Sequence, residues 1–254
     1  MKKLGLVLMA AAVTTISCKN QESETSENKA ENEEIVVTGK PTTNSDWKDL
    51  TKGDINENWK GYNRDSITQW TLSDGTLHFV PKEGRNQSEN LITKETYTDF
   101  ELSMEWKISE GGNSGFMWAV VEDADLGEPY LTGPEIQVLD NEKHPDGKNG
   151  PNRHSGALYD MVEPSENTTK PVGEWNNVVL KIDHKANEGS VTQNGVTIVE
   201  FPVEGDGWEE LVKNSKFADW ERFGKSKSGH IALQDHGHEV WFRNITCLLY
   251  TSPS

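Results

Sequence analysis

The run Gly133-Pro134-Glu135-Ile136-Gln137-Val138-Leu139-Asp140-Asn141 sets two carboxylates and a carboxamide into a stretch that otherwise reads as a buried strand. Alternate side chains of a strand share a face, so Glu135 and Gln137 point the same way. One extra residue in a bulge brings Asp140 round to join them. A polar row of this kind can move protons; the plain alternative is an edge strand whose polar residues are simply wet. Three further polar segments interrupt the strands: Gly112-Asn113-Ser114-Gly115, His154-Ser155-Gly156-Ala157-Leu158-Tyr159 and Leu233-Gln234-Asp235-His236-Gly237. Taken singly, each reads as a turn or a satisfied structural histidine.

The elements that must position these residues are short runs of period two, separated by Gly, Asn, Asp and Pro from Trp47 onward. In Asp99 to Ile108, the residues Phe100, Leu102, Met104, Trp106 and Ile108 line one face and polar residues the other, which predicts a half-buried antiparallel strand. Further strands are expected at Thr76 to Val80, Gly115 to Val121, Glu135 to Leu139, Asn177 to Asp183, Ser190 to Gln193, Thr197 to Phe201, His230 to Gln234 and Val240 to Ile245. Asn194-Gly195 is a two-residue hairpin signal, because both residues tolerate positive φ. A helix is expected at Trp208 to Phe217. The strand count points to a sandwich of two sheets in one domain, with no repeat of fixed period.

Acidic residues outnumber basic ones 42 to 25, a formal charge of −17, which repels phosphate backbones and excludes nucleic acid as a partner. The nine Trp supply flat apolar faces that fill a core or stack on sugars, with Trp118 a candidate for the second role. Lys2 and Lys3 precede an apolar stretch from Leu4 to Val13 and then Thr15-Ile16-Ser17-Cys18, an export signal over residues 1–17 ending in a cysteine. The small residues before Cys18 resemble a lipoprotein processing site, with Thr15 where such sites usually carry Leu. Lipidation of Cys18 would make the lipid anchor the sole contact with a membrane, the outer membrane of a cell envelope, facing the periplasm or the exterior. Residues 18–45 are Glu-, Asn-, Ser- and Thr-rich and read as a disordered acidic tether. A domain is expected over residues 46–246. With Cys18 consumed, Cys247 has no disulfide partner, and residues 247–254 resemble translated adaptor sequence rather than a strand.

The order and wording of several segments carry a family resemblance. Leu91-Ile92-Thr93-Lys94 with Asp99-Phe100-Glu101-Leu102, Gly112-Asn113-Ser114-Gly115-Phe116, Gly133 to Asp140, Gly173-Glu174-Trp175-Asn176, and Gly229-His230-Ile231-Ala232-Leu233-Gln234-Asp235-His236-Gly237 followed by Val240-Trp241-Phe242-Arg243-Asn244-Ile245 resemble the 3-keto-disaccharide hydrolase family. The resemblance spans about Trp47 to Ile245. It implies an all-β, concanavalin A-like jelly-roll sandwich of two antiparallel sheets, and cleavage of glycosides already oxidised to a ketone at sugar C3. Such a ketone acidifies the C2 proton, so a base can remove it and expel the C1 substituent, after which water adds back. On this reading Glu135 or His154 is the base and Asp140 its partner. Gln137, Asn113, Trp118, Gln234, His236 and Arg243 contact substrate. A divalent ion bridging the C2 and C3 oxygens would stabilise the enolate, and Glu135, Asp140 and His154 are suitable ligand types, although their spacing matches no metal motif.

Two rivals share the fold. Laminarinase-like glycosidases place three acidic residues at i, i+2 and i+5 of a bulged strand; Gln137 at the centre cannot ionise, which disfavours a two-carboxylate mechanism. A non-catalytic carbohydrate-binding module of lectin type is the other. No Gly-x-Gly-x-x-Gly follows a strand, so a separate sugar 3-oxidoreductase is expected to supply the ketone.

Overall fold

The computed structural model describes residues Trp47 to Tyr250. The export signal, Cys18 and the tether lie outside the described residues. Among the described residues, thirteen strands form two antiparallel sheets that face each other across the core, as a jelly-roll sandwich. The larger sheet holds β1 (Trp47–Asp49), β3 (Trp70–Ser73), β4 (Thr76–Phe79), β6 (Phe100–Ile108), β9 (Asn176–Asp183), β10 (Glu188–Gln193), β11 (Val196–Phe201) and β13 (Val240–Leu249). Its order is β11-β10-β9-β6-β13-β4-β3, with β1 pairing β13. The smaller sheet runs β2 (Trp59–Gly61), β5 (Leu91–Thr93), β12 (His230–Leu233), β7 (Asn113–Val120) and β8 (Glu135–Leu139).

Periodicity explains the packing. The apolar set of β6 is fully buried while its alternate residues are half-exposed, so the predicted strand forms with one wet face. Asn194 and Gly195 both adopt positive φ, at 51° and 86°, and turn β10 into β11 as a hairpin. The short helix α1 (Ile55–Asn58) opens with a reciprocal cap between Asp54 and Glu57. The longer helix α2 (Gly205–Lys213) starts and stops earlier than its sequence pattern suggests. Asn214 caps it, and the Ser215 hydroxyl donates to the Val212 carbonyl at 2.7 Å, which closes the last turn. Trp208 of α2 packs on Phe201 and Trp118 and donates its indole N–H to the Gly224 carbonyl at 3.0 Å.

Two expectations are corrected here. The last strand does not stop at Ile245: residues 246–249 continue β13, with Cys247 opposite Lys48 and Leu102 and Leu249 opposite Phe100. Cys247 is buried in the core and Tyr250 donates to the Asp99 carbonyl and to Glu101, so residues 247–249 belong to the strand and Tyr250 flanks it. Strand β8 also contains no bulge. It pairs with β7 in unbroken register from Asn113–Leu139 to Met117–Glu135, so Asp140 does not rotate onto the face of Glu135 and Gln137.

Candidate active site

The smaller sheet has one face on the core and one open to a cleft. On β8, Ile136 and Val138 enter the core, which turns Glu135 and Gln137 outward. On β7, Phe116 and Trp118 are the core residues, so Asn113 and Gly115 share the outward face. Gln234 joins them just past β12. These residues floor a cavity of about 440 Å³ whose walls are Tyr130, Leu131, Tyr159, Lys216, Phe217, Trp220 and His236.

Glu135 is the single carboxylate among the residues lining this cavity, and it is 8% exposed. Gly115 makes the space for it: a Cβ there would lie 2.0 Å from Glu135 Oε1. Burial pushes the Glu135 carboxyl up to about 8; the Lys216 ammonium pulls against that rise, Asp146 adds to it, and the Gln234 amide opposes it. Around Glu135, Asn113 Oδ1, Gln137 Oε1 and Gln234 Oε1 are each buried without a hydrogen-bond partner. Buried polar atoms are rarely left unpaired. Three such carboxamides in one cleft form a surface made to exchange hydrogen bonds with a ligand rich in hydroxyls.

Loops supply the rest. The Tyr159 amide donates to the Glu135 carbonyl at 2.9 Å, and its hydroxyl donates to Asp146 Oδ2 at 2.7 Å. Arg153 ties Asp146 to Asp160, and Asp160 Oδ2 accepts the Lys216 amide at 2.7 Å. This network sets Lys216 beside the cleft, with its Nζ 4.2 Å from the Tyr159 ring centroid. Burial holds the Lys216 ammonium below the usual lysine range, partly offset by Glu135. Stacking of Phe217 on Phe223, 3.9 Å between centroids, fixes the segment that follows.

His236 on the cavity wall belongs to a cluster with His144 and His238, in which one ring nitrogen from each lies within 4.8 Å of the others. This triad could hold a metal ion. Burial is the main cause holding all three imidazoles below the ordinary histidine range, with His238 adding to the effect on His144 and His236. Asp235 sets the loop that carries two of them: it accepts from the Glu89 and Gly237 amides and pairs with Arg85.

Four sequence-derived candidates lie elsewhere. Asp140 caps a turn, accepting from the Gly111, Glu142 and Lys143 amides at 2.7, 3.1 and 3.2 Å, and lines a different groove with Trp106 and Lys170. His154 bonds the Gly147 carbonyl through Nε2 at 2.9 Å, tying two turns together rather than facing Glu135. Glu135, Asp140 and His154 therefore do not converge as a metal site. Trp118 lies between the sheets, its ring centroid 5.6 Å from that of Phe201. Arg243 belongs to the other sheet, where it pairs with Glu105 at 2.9 Å and lies 4.0 Å over the Trp175 ring. The residues absent from the sequence reading are Lys216, Tyr130, Phe217, Trp220, His144 and His238. The His-x-His spacing of His236 and His238 was the available signal for the last.

The fold is a two-sheet jelly roll, and one face of its smaller sheet opens to a cleft lined by one buried acid and three carboxamides. The chain belongs to the 3-keto-alpha-glucoside-1,2-lyase-like domain family, whose profile matches residues 46–247. It is 33% identical to a 3-keto-disaccharide hydrolase of Bacteroides thetaiotaomicron, over 96% of this chain and 98% of that one. Two crystal structures of putative glycosyl hydrolases from Parabacteroides distasonis are similar. One has a TM-score of 0.75 at 25% identity, covering 83% of this chain and 98% of that one. The other has a TM-score of 0.60 at 28% identity, covering 79% and 98%.

Proposed function

We propose that this protein cleaves 3-keto-glycosides by removing the proton at C2, expelling the C1 substituent and adding water. The observation that carries this reading is the lone carboxylate. Glu135 sits unaccompanied by a second acid on the cleft wall, with a pKa pushed up to about 8. A raised pKa makes it a stronger base while leaving roughly a tenth of it ionised at neutral pH. Retaining and inverting glycosidases need two carboxyl groups across the scissile bond, whereas elimination beside a ketone needs one base.

Glu135 takes the C2 proton, and the enolate forms on the C3 oxygen, where the carboxamides of Asn113, Gln137 and Gln234 can donate through their N–H groups. The C1–O bond then breaks, and Lys216 gives a proton to the departing oxygen. Tyr159 is the poorer donor, because its hydroxyl is committed to Asp146 and burial raises its pKa. Water next adds at C1 and returns a proton to Lys216, while Glu135, its proton exchanged with solvent once the alcohol has left, protonates C2. The sum is one water consumed, one alcohol released and one 3-keto sugar formed. The family and the B. thetaiotaomicron relative support the substrate class. A separate sugar 3-oxidoreductase must make the ketone. The export signal and Cys18 favour a lipid-anchored protein of the cell envelope at the outer membrane.

Incubation of purified protein with a 3-keto-glucoside and with its unoxidised parent tests this. Release of the aglycone from the keto form alone is expected. Equal release from both overturns the elimination, and binding of either without turnover points to a lectin.

A further inference from the structure

We infer that His144, His236 and His238 form a binding site for one divalent transition-metal ion on the wall of the cleft. The three rings come from two distant segments, yet one nitrogen from each lies within 4.8 Å of the others. Ligand nitrogens about 2.0–2.1 Å from a common ion stand roughly 3 Å apart, so small ring rotations close the set. His236 and His238, two residues apart on one loop, lie nearly parallel at 12° with centroids 5.8 Å apart. His144 stands edge-on to both, at 84° and 89°. An imidazole lone pair lies in the ring plane, and this arrangement lets planes from different directions meet near one point.

The hydrogen-bond pattern agrees. His238 Nδ1 is buried without a partner. Such an atom calls for a proton acceptor, a donor or an ion. His144 Nδ1 accepts from the Asp146 amide at a long 3.2 Å. Binding exchanges that contact either for a metal–Nδ1 bond or for the Nδ1–H tautomer that frees Nε2. Asp235 pairs with Arg85, which compensates the nearby guanidinium.

Three imidazoles with no carboxylate in the cluster select Zn2+, Co2+, Ni2+ or Fe2+ over Mg2+ and Ca2+, which require oxygen ligands. Three protein ligands also leave at least one coordination position open. His236 lines the same cavity as Glu135, Gln137 and Gln234, so that position can be reached from the cleft. If the keto-sugar reading holds, the open positions fit the vicinal C2 and C3 oxygens of the substrate; the binding of the ion itself does not depend on that reading.

The test uses the full chain, stripped with chelator and titrated with Zn2+ and Co2+ against a chelating indicator without any sugar. One ion per chain is expected, with visible Co2+ absorption bands and a higher thermal midpoint. His144→Ala and the double variant His236→Asn/His238→Asn should weaken binding by about 100-fold or more, at least what loss of a group supporting a metal ligand costs. His184→Ala, on the residue that pairs with Asp99, serves as the control and should bind normally. Absence of stoichiometric binding by the unaltered chain overturns the inference, as does equal affinity in the triad variants and the control. A chain that binds one ion but does not cleave keto-glycosides refutes the functional reading alone.

Discussion

Replacing Glu135 by Gln should make the protein more stable as it becomes inactive, and the gain should depend on pH. In the unfolded chain Glu135 ionises near its ordinary value of 4.5, whereas in the folded protein burial holds the proton to about 8. Between those values the native state binds more protons than the unfolded state, so stability falls as pH rises across the window. It is unaffected below about pH 4.5 and levels off above about pH 8. A shift of this size corresponds to at most about 5 kcal/mol, at about 1.4 kcal/mol for each pH unit. Glu135→Gln lacks the titration, so the stability difference, variant minus parent, should grow from its acid value by about 3–5 kcal/mol between pH 4.5 and 8. For a domain of this size that is roughly 6–20 °C in thermal midpoint. Urea denaturation of both proteins at half-unit pH steps measures it. A difference constant across the range would refute the claim that Glu135 is buried with its proton held.

Turnover of a keto-glycoside should climb with pH toward about 8, because the base must lose its proton, and Glu135→Gln should show no turnover at any pH. Lys216→Met loses the proton donor and also the charge that lowers the Glu135 pKa, so turnover should fall and the limb of the residual activity should move to higher pH; an unmoved limb would break that link. Gly115→Ala places a methyl where Glu135 Oε1 lies, at a backbone that accepts Ala. The flexible carboxylate should yield at about 1–3 kcal/mol or less of stability, while turnover falls tenfold or more in steady-state assays. Asp140→Ala frees three backbone amides from their cap and should cost about 1–3 kcal/mol by chemical denaturation.

The sequence disclosed the sandwich because strands with one wet face alternate visibly, as β6 and β9 do. It disclosed less of the smaller sheet, where β7 and β8 are buried throughout and no alternation separates core from cleft. Trp118 was therefore open to reading as a sugar platform, although it belongs to the core. Glu135 and Gln137 were legible because two residues apart in a strand always share a face. Asp140 was misplaced because a bulge is a local event that the residue pattern does not announce. Arg243 was misplaced for a different reason, since which sheet a strand joins depends on pairing far along the chain. Lys216, His144 and Tyr159 come from loops and a post-helical segment, whose paths follow from contacts such as Asp160 with the Lys216 amide rather than from periodicity.

The central claim is that Glu135 takes the C2 proton, exchanges it with solvent and then protonates C2 again. Turnover of a 3-keto-glucoside in D2O, with the released sugar read by mass spectrometry and NMR, tests it most directly. The account predicts one deuterium at C2 in the product, and neither exchange nor cleavage with Glu135→Gln. Product formed in D2O with C2 still carrying its original hydrogen would contradict it.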